Sequence, residues 1–150
     1  YEIRLSLVGS EMCIRDSISA VCSEIQRVLT PGGKLICSTY GKKHMQEVSR
    51  LVRDFDDRIV LSADKLYERF GRENGADILA PYFSRIFWES YEDSLLVPDA
   101  EPLISYILSC HGNQNQYLLD KYKDFRGFVS RKTKDGFFIT KDAGIFLCEK

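Results

Sequence analysis

The chain has 150 residues, of which 44% are hydrophobic and 29% charged, and its formal net charge is −1. This length and composition are typical of one globular domain with one core. A net charge this small excludes a basic field over the whole molecule, so the composition carries no nucleic-acid signature. No apolar run reaches membrane-spanning length, and the sequence predicts a protein with no membrane partner.

The cysteines and histidines argue against a metal centre. The five cysteines include no CxxC pair, and their odd number does not indicate a disulfide framework. The two histidines, His44 and His111, lie too far apart in the chain for an HExxH motif. The sequence therefore predicts no metal site and a reducing compartment, the cytoplasm.

The first residues differ in character from the rest. Residue 1 is Tyr, and residues 5–17 read LSLVGSEMCIRDS, which resembles the translation of a sequencing adapter in assembled environmental sequences. The alternative is a genuine strand over residues 3–8 followed by a turn at Gly9 and Ser10. Because regular hydrophobic spacing starts only near Ile18, we assign 1–17 to an artefact or disordered leader and 18–150 to the C-terminal part of a domain.

The first regular segment predicts a helix, a tight turn and a buried strand. Apolar residues of one helical face recur between 19 and 30 at Val21, Ile25, Val28 and Leu29. Pro31-Gly32-Gly33 then ends the helix, and residues 35–37 form a short apolar strand. This succession is typical of an α/β unit with a parallel sheet.

The rest of the chain alternates helices and strands. Helices are predicted over 45–55, after an N-cap at Ser62, around 78–83, over 103–108 after a cap at Asp99, and over 114–131. A strand is predicted over 85–91, with a turn or bulge at Glu92-Asp93 and an extended segment over 94–97. Residues 137–140 and 145–148 are expected to form a hairpin or one bulged strand around Asp142-Ala143-Gly144.

Residues Glu24 to Ile36, EIQRVLTPGGKLI, resemble the EIxRVLKPGGxLI motif of class I S-adenosylmethionine-dependent methyltransferases, with Thr30 in place of the usual Lys. In that family the motif is the helix, turn and fifth strand of the sheet. The family resembled is methyltransferase type 11-like, and residues Tyr91 to Ser109 also resemble a bacterial subgroup of it with YEDSLLVxDAEPLIxYILS. The resemblance covers 18–150 and implies an α/β fold: an incomplete Rossmann-like sheet with flanking helices and C-terminal antiparallel strands.

The resemblance also implies S-adenosylmethionine as the cosubstrate, but the main cofactor loop is not in this sequence. The family binds the cofactor through a glycine-rich loop after the first strand and an acidic residue after the second, and no GxGxG occurs here. The cofactor-binding residues are therefore unknown, and we expect the fragment alone to be inactive. A fifth strand without its inner neighbour has an open edge, so we expect 18–150 alone to aggregate or to be poorly ordered.

Three residues after the strand at 35–37 are candidates for the acceptor site, because ligands in open α/β sheets bind beyond the carboxyl ends of strands. Thr39 and Tyr40 are predicted to contact the substrate, although Tyr40 can equally close the end of the core. His44 is the candidate base or substrate-positioning group, its alternative being a solvated histidine near a helix start. Lys42 and Lys43 are either a solvated pair or an attraction for an acidic substrate.

The expected function is transfer of a methyl group from S-adenosylmethionine to an unidentified small-molecule or macromolecular acceptor. A catalytically inactive Rossmann-like module that binds a partner protein is the alternative, and it predicts degenerate cofactor loops with an apolar surface patch. Another nucleotide-binding Rossmann-like enzyme would instead need a GxGxxG fingerprint upstream. The EIxRVLxPGGxLI match favours the methyltransferase.

Overall fold

A computed structural model of the chain describes residues 17–61 and 66–150. The segment assigned to an artefact or leader, apart from Ser17, and the helix cap predicted at Ser62 lie outside the described residues. The described helices are α1 Ile18–Val28, α2 Gln46–Phe55, α3 Leu66–Arg69, α4 Gly75–Leu79, α5 Ala100–Ser109, α6 Gln114–Leu118 and α7 Tyr122–Thr133. The described strands are β1 Lys34–Tyr40, β2 Arg85–Val97 and β3 Phe137–Glu149.

Over the described residues the fold is mixed α/β, with helices flanking an open sheet of three strands in the order β1-β3-β2. The last strand lies in the centre and pairs antiparallel with both neighbours. β1 and β2 consequently run in the same direction without pairing. The parallel pairing expected for the first strand is thus wrong for the described sheet. A helix–turn–strand pattern predicts where a strand lies in the sequence, but it does not determine which strand pairs with it. The antiparallel C-terminal strands are confirmed.

The turn before β1 forms as its residues predict. Gly32 has a φ of 74°, in the left-handed region that glycine adopts without strain, and the Gly33 amide donates to the Thr30 carbonyl at 2.8 Å. The predicted cap of α5 is also confirmed, since Asp99 Oδ1 accepts a hydrogen bond from the Glu101 amide at 3.1 Å.

Two strand predictions are wrong in the same way. β2 runs without a turn or bulge through Glu92 and Asp93, which pair in register with Asp142 and Lys141. β3 is likewise one regular strand, neither a hairpin nor bulged. Gly144 does not form a turn. It allows the Trp88 ring to pack closely on β3, because a Cβ at this position would lie 2.4 Å from that ring.

The sheet separates two cores. On one face, α2, α5, α6 and α7 enclose a cluster that includes Leu51, Ile107, Phe125 and Ile139. On the other face, α1 and α4 cover a smaller cluster built on Phe146. Ile139 and Phe146 point to opposite faces of β3 because they are seven positions apart and side chains alternate along a strand.

The helix predicted over 114–131 is two helices in the structure. α6 ends at Leu118, and α7 starts at Tyr122, so the chain turns between them. The break lets both Leu118 and Phe125 reach the first core, where each is fully buried. The apolar spacing over 114–131 did not indicate the break, because such spacing can continue through two successive helices.

Part of one sheet face is uncovered. Ile36, Leu147 and Phe87 lie side by side across β1, β3 and β2, and we call these three residues the apolar row. Ile36 and Phe87 are each 63% exposed. The row occupies the same face as Ile139, but at the other end of β3, beyond the helices that enclose the first core.

Candidate functional site

A cavity of about 540 Å³ lies at the carboxyl end of β1. It is enclosed by the β1–α2 loop, one side of α2, Val60 and Leu61, the segment at Tyr67 and Glu68, and α5. This volume is in the range of small-molecule sites, and the cavity lies at the strand end beside which the sequence placed Tyr40 and His44. We take this cavity as the candidate site.

The structure brings Tyr40 and His44 together at the cavity. Their rings stack with centroids 4.9 Å apart and planes inclined by 26°, and both residues line the cavity. His44 Nδ1 is buried and has no hydrogen-bond partner among the described residues. Burial, together with the positive charge of Lys141, lowers the pKa of His44 below 6.5 against the opposing effect of Asp142. His44 is therefore neutral at pH 7 and can accept a proton.

The loop that carries His44 is fixed to the neighbouring segments. Asp142 Oδ2 accepts from the Lys43 amide at 3.3 Å, while its Oδ1 accepts from Arg72 Nη1 at 2.9 Å. Glu73 Oε1 accepts from the Lys42 amide at 3.0 Å. A Cβ at Gly41 would lie 2.3 Å from Asp142 Oδ2, so a larger residue here would displace this carboxylate from the loop.

The end of the loop is also held by β3. Met45 has a φ of 53°, a left-handed conformation that costs energy for a side chain of its size, and its amide donates to the Thr140 carbonyl at 2.8 Å. Glu47 accepts from both the Thr140 amide, at 3.0 Å, and the Thr140 hydroxyl, at 2.7 Å. Burial opposes ionisation of Glu47, but these hydrogen bonds outweigh it and lower the pKa of the carboxyl group.

Glu47 is expected to stabilise the fold in a pH-dependent way. Its folded pKa lies below the ordinary 4.5, so its contribution is complete above pH 4.5 and is lost as the pH falls through the folded value. Glu47→Gln should lower the free energy of unfolding by about 1 kcal/mol at pH 7, and the deficit should shrink towards pH 3. Urea unfolding followed by circular dichroism measures this, with Glu92→Gln on the exposed part of β2 as the control. A deficit that is constant from pH 7 to pH 3 would contradict the assignment.

Thr39 is not brought to the cavity. Its side chain lies on the other face of the sheet from that of Tyr40, and its hydroxyl donates to the Phe70 carbonyl at 2.7 Å. This bond ties β1 to the segment after α3. The substrate contact predicted for Thr39 stays a prediction, and nothing in the geometry of the described residues favours it.

Two further tyrosines, which the sequence did not indicate, line the cavity. Tyr106 belongs to α5, and its hydroxyl donates to Met45 Sδ at 3.5 Å; Tyr67 belongs to α3. Burial raises the pKa values of Tyr40 and Tyr106, so both phenols remain protonated at neutral pH. Helical spacing could not indicate that Tyr106 reaches the β1–α2 loop, because Met45 lies 61 positions away in the chain.

The cysteines of the smaller core are not positioned as nucleophiles. Cys22 of α1, Cys37 of β1 and Cys148 of β3 all contribute to this core. Burial, with smaller contributions from the two neighbouring thiols, raises the pKa of Cys37 to about 12, so it remains a thiol. Within the part of the chain that the structure describes, no three side chains of His, Cys, Asp or Glu come together as a metal site would require.

Comparison with known proteins adds no family assignment, because no family model and no curated protein matches the chain. Among the helices of residues 17–61 and 66–150, none combines the length and the apolar character needed to cross a bilayer. The function must therefore be argued from the cavity and from the sequence motif beside it.

Proposed function

We propose that the chain is the carboxyl-terminal part of an S-adenosylmethionine-dependent methyltransferase and that it supplies the acceptor side of the active site. The observation that carries the proposal is the position of the cavity. It opens at the carboxyl end of β1, directly after the segment that resembles EIxRVLxPGGxLI, and a half-buried neutral histidine lines it.

The order of elements supports this proposal. In the family that the sequence resembles, the motif is followed by helices, an antiparallel strand, further helices and a terminal strand region. The described elements occur in this order from α1 to β3. The proposed fold is accordingly the later part of a Rossmann-like sheet.

The two outer strands support an incomplete sheet. β2 carries Arg85, Glu89, Glu92 and Asp93, and charges of this kind protect a natural edge from pairing. β1, with the sequence KLICSTY, has a single charge at its first residue. β1 thus has the composition of an inner strand, and we infer that a further strand pairs with its outer edge in the complete enzyme.

The described residues do not fit the cofactor. They contain no glycine-rich loop, and the one glycine directly after β1, Gly41, packs on Asp142. We therefore assign cofactor binding to other residues of the complete enzyme. In the complete enzyme the role of this chain is to bind the acceptor, to align it and to receive its proton.

His44 suits the last of these roles. Its neutral imidazole can accept a proton from an acidic O–H or N–H group of the acceptor, and the stacked Tyr40 ring fixes the imidazole plane. The backbone on both sides of the ring is anchored, since the His44 amide donates to the Gly41 carbonyl at 3.1 Å and the Met45 amide donates to β3. Such anchoring holds a base in one position.

His44→Ala in the complete enzyme is expected to reduce kcat at least tenfold, because general-base catalysis is typically worth more than this. The pH profile of kcat/KM should fall only below pH 6.5, since the pKa of His44 is lowered. Transfer of a labelled methyl group measures both. His111→Ala, which removes the exposed second histidine, is the matched control and should leave kcat unchanged. Equal rates for His44→Ala and the parent enzyme would remove His44 from the mechanism.

A protein-binding module without catalysis is the second candidate function. The observation that favours it is the exposed apolar row of Ile36, Leu147 and Phe87. A complete chain with degenerate cofactor loops and no methyl transfer would support this function over the first.

A further inference from the structure

We propose that the cavity at the end of β1 selects a planar aromatic acid, that is, an acceptor with a ring and a carboxylate. The role of this ligand as the acceptor rests on the proposed function, but its binding to the cavity does not. Two features of the lining support it: an aromatic wall and a cluster of cations that form no ion pair with a carboxylate of the described residues.

The aromatic wall accounts for the ring. Tyr40, His44, Tyr67 and Tyr106 contribute to the lining. Tyr40 and His44 already stack on each other, so they present a rigid pair of flat surfaces at one side of the cavity. A planar ligand buries its faces against such surfaces more effectively than a flexible chain of equal volume. A volume of about 540 Å³ accommodates a substituted ring.

The cations account for the acid. Lys42, Arg50 and Arg53 line the cavity, against a single described carboxylate, that of Glu68. Arg50 and Arg53 are three positions apart on α2, so they lie on the same side of that helix. Their own helix orients both: Arg50 Nη2 donates to Gln46 Oε1 at 2.9 Å, and Arg53 Nε donates to the Ser49 carbonyl at 3.1 Å.

These two arginines differ from most others in the described chain. Five arginines lie within 3.8 Å of a carboxylate oxygen: Arg27, Arg58, Arg72, Arg85 and Arg126. Arg50 and Arg53 form no ion pair with any described carboxylate. Their guanidinium groups thus keep donors for a ligand, and a carboxylate is the group that this planar fork matches best.

Equilibrium dialysis of the 150-residue chain without cofactor tests the inference, with 4-hydroxybenzoate as the acid and 4-hydroxybenzamide as its neutral isostere. The chain carries Ile36→Lys and Phe87→Lys in the apolar row, so that association does not distort binding. We expect the acid to bind about tenfold more tightly than the amide. This difference corresponds to the contribution of one charge-assisted hydrogen bond. Arg50→Gln combined with Arg53→Gln should weaken binding of the acid about tenfold more than binding of the amide, and so abolish this preference. Both side chains are exposed, so the fold should persist, and circular dichroism verifies this.

Arg131→Gln, at an exposed arginine in the last turn of α7, is the matched control and should retain the preference. Equal binding of acid and amide, a preference that survives the double substitution, or no saturable binding of either compound would overturn the inference. The proposed function fails separately: if the acid binds as expected but the complete enzyme transfers no methyl group, the ligand class stands and the reaction does not. If methyl transfer occurs while dialysis shows no preference, the reaction stands and the ligand class does not.

Discussion

Ile36→Lys combined with Phe87→Lys is expected to convert a self-associating chain into a monomer at micromolar concentration. The parent chain should associate, because β1 has an unpaired outer edge in the described sheet and the apolar row lies beside it. A lysine at 36 places a charge on the open strand itself, and a lysine at 87 interrupts the row from the other side. Sedimentation velocity measures the fraction of monomer.

The control must add the same charge elsewhere, because a net charge near zero also promotes association. Val28→Lys combined with Leu119→Lys does this: Val28 is 60% and Leu119 61% exposed, and neither lies in the sheet. This control should associate as the parent does. A parent chain that is monomeric and melts cooperatively would contradict the inference that β1 has a missing neighbour.

Phe146→Ala is expected to lower the free energy of unfolding by about 3–5 kcal/mol, the usual cost of removing a large buried aromatic side chain. Phe146 is 1% exposed, and its ring lies 4.7 Å from that of Trp88 and 5.8 Å from that of Phe70. Gly75 of α4 contacts it so closely that a Cβ there would lie 2.3 Å from the ring. The substitution would leave a cavity that these anchored neighbours cannot fill.

Phe138→Ala is the matched control for this prediction, since Phe138 is the same residue type in the same strand but is 54% exposed. Its loss should cost less than about 1 kcal/mol, as is usual for surface positions. Urea unfolding followed by circular dichroism gives both values, measured in the Ile36→Lys, Phe87→Lys background so that association does not distort them. Equal losses for the two phenylalanines would contradict the arrangement of the smaller core around β3.

Local spacing predicted the helices and strands better than it predicted their partners. The segment from α1 to β1 could be predicted because Pro31-Gly32-Gly33 separates a clear helical face from an apolar run. The single strand β3 could not, because Gly144 serves a contact with Trp88, and this contact joins segments more than fifty positions apart. A glycine in a strand indicates either a turn or close packing, and only the neighbouring strand decides which.

The candidate site shows the same limit. The rule that ligands bind beyond strand ends indicated Thr39, Tyr40 and His44, and the structure brings Tyr40 and His44 to one cavity. Thr39 follows the same rule but faces the other side of β1, where Phe70 takes its hydrogen bond. Tyr106 reaches the cavity from α5, and its contribution depends on the packing of α5 against the β1–α2 loop, which no local pattern records.

The measurement that tests the methyltransferase proposal most directly is the sequence of the genomic DNA upstream of the Ile18 codon. The proposal predicts an open reading frame that continues upstream through a strand, a GxGxG loop and, after a second strand, an acidic residue for the cofactor ribose. It also predicts that the codons for 5–17 are absent from the genome. A genomic frame that begins with YEIRLSLVGS, with no cofactor loop before it, would contradict the proposal and favour the protein-binding module.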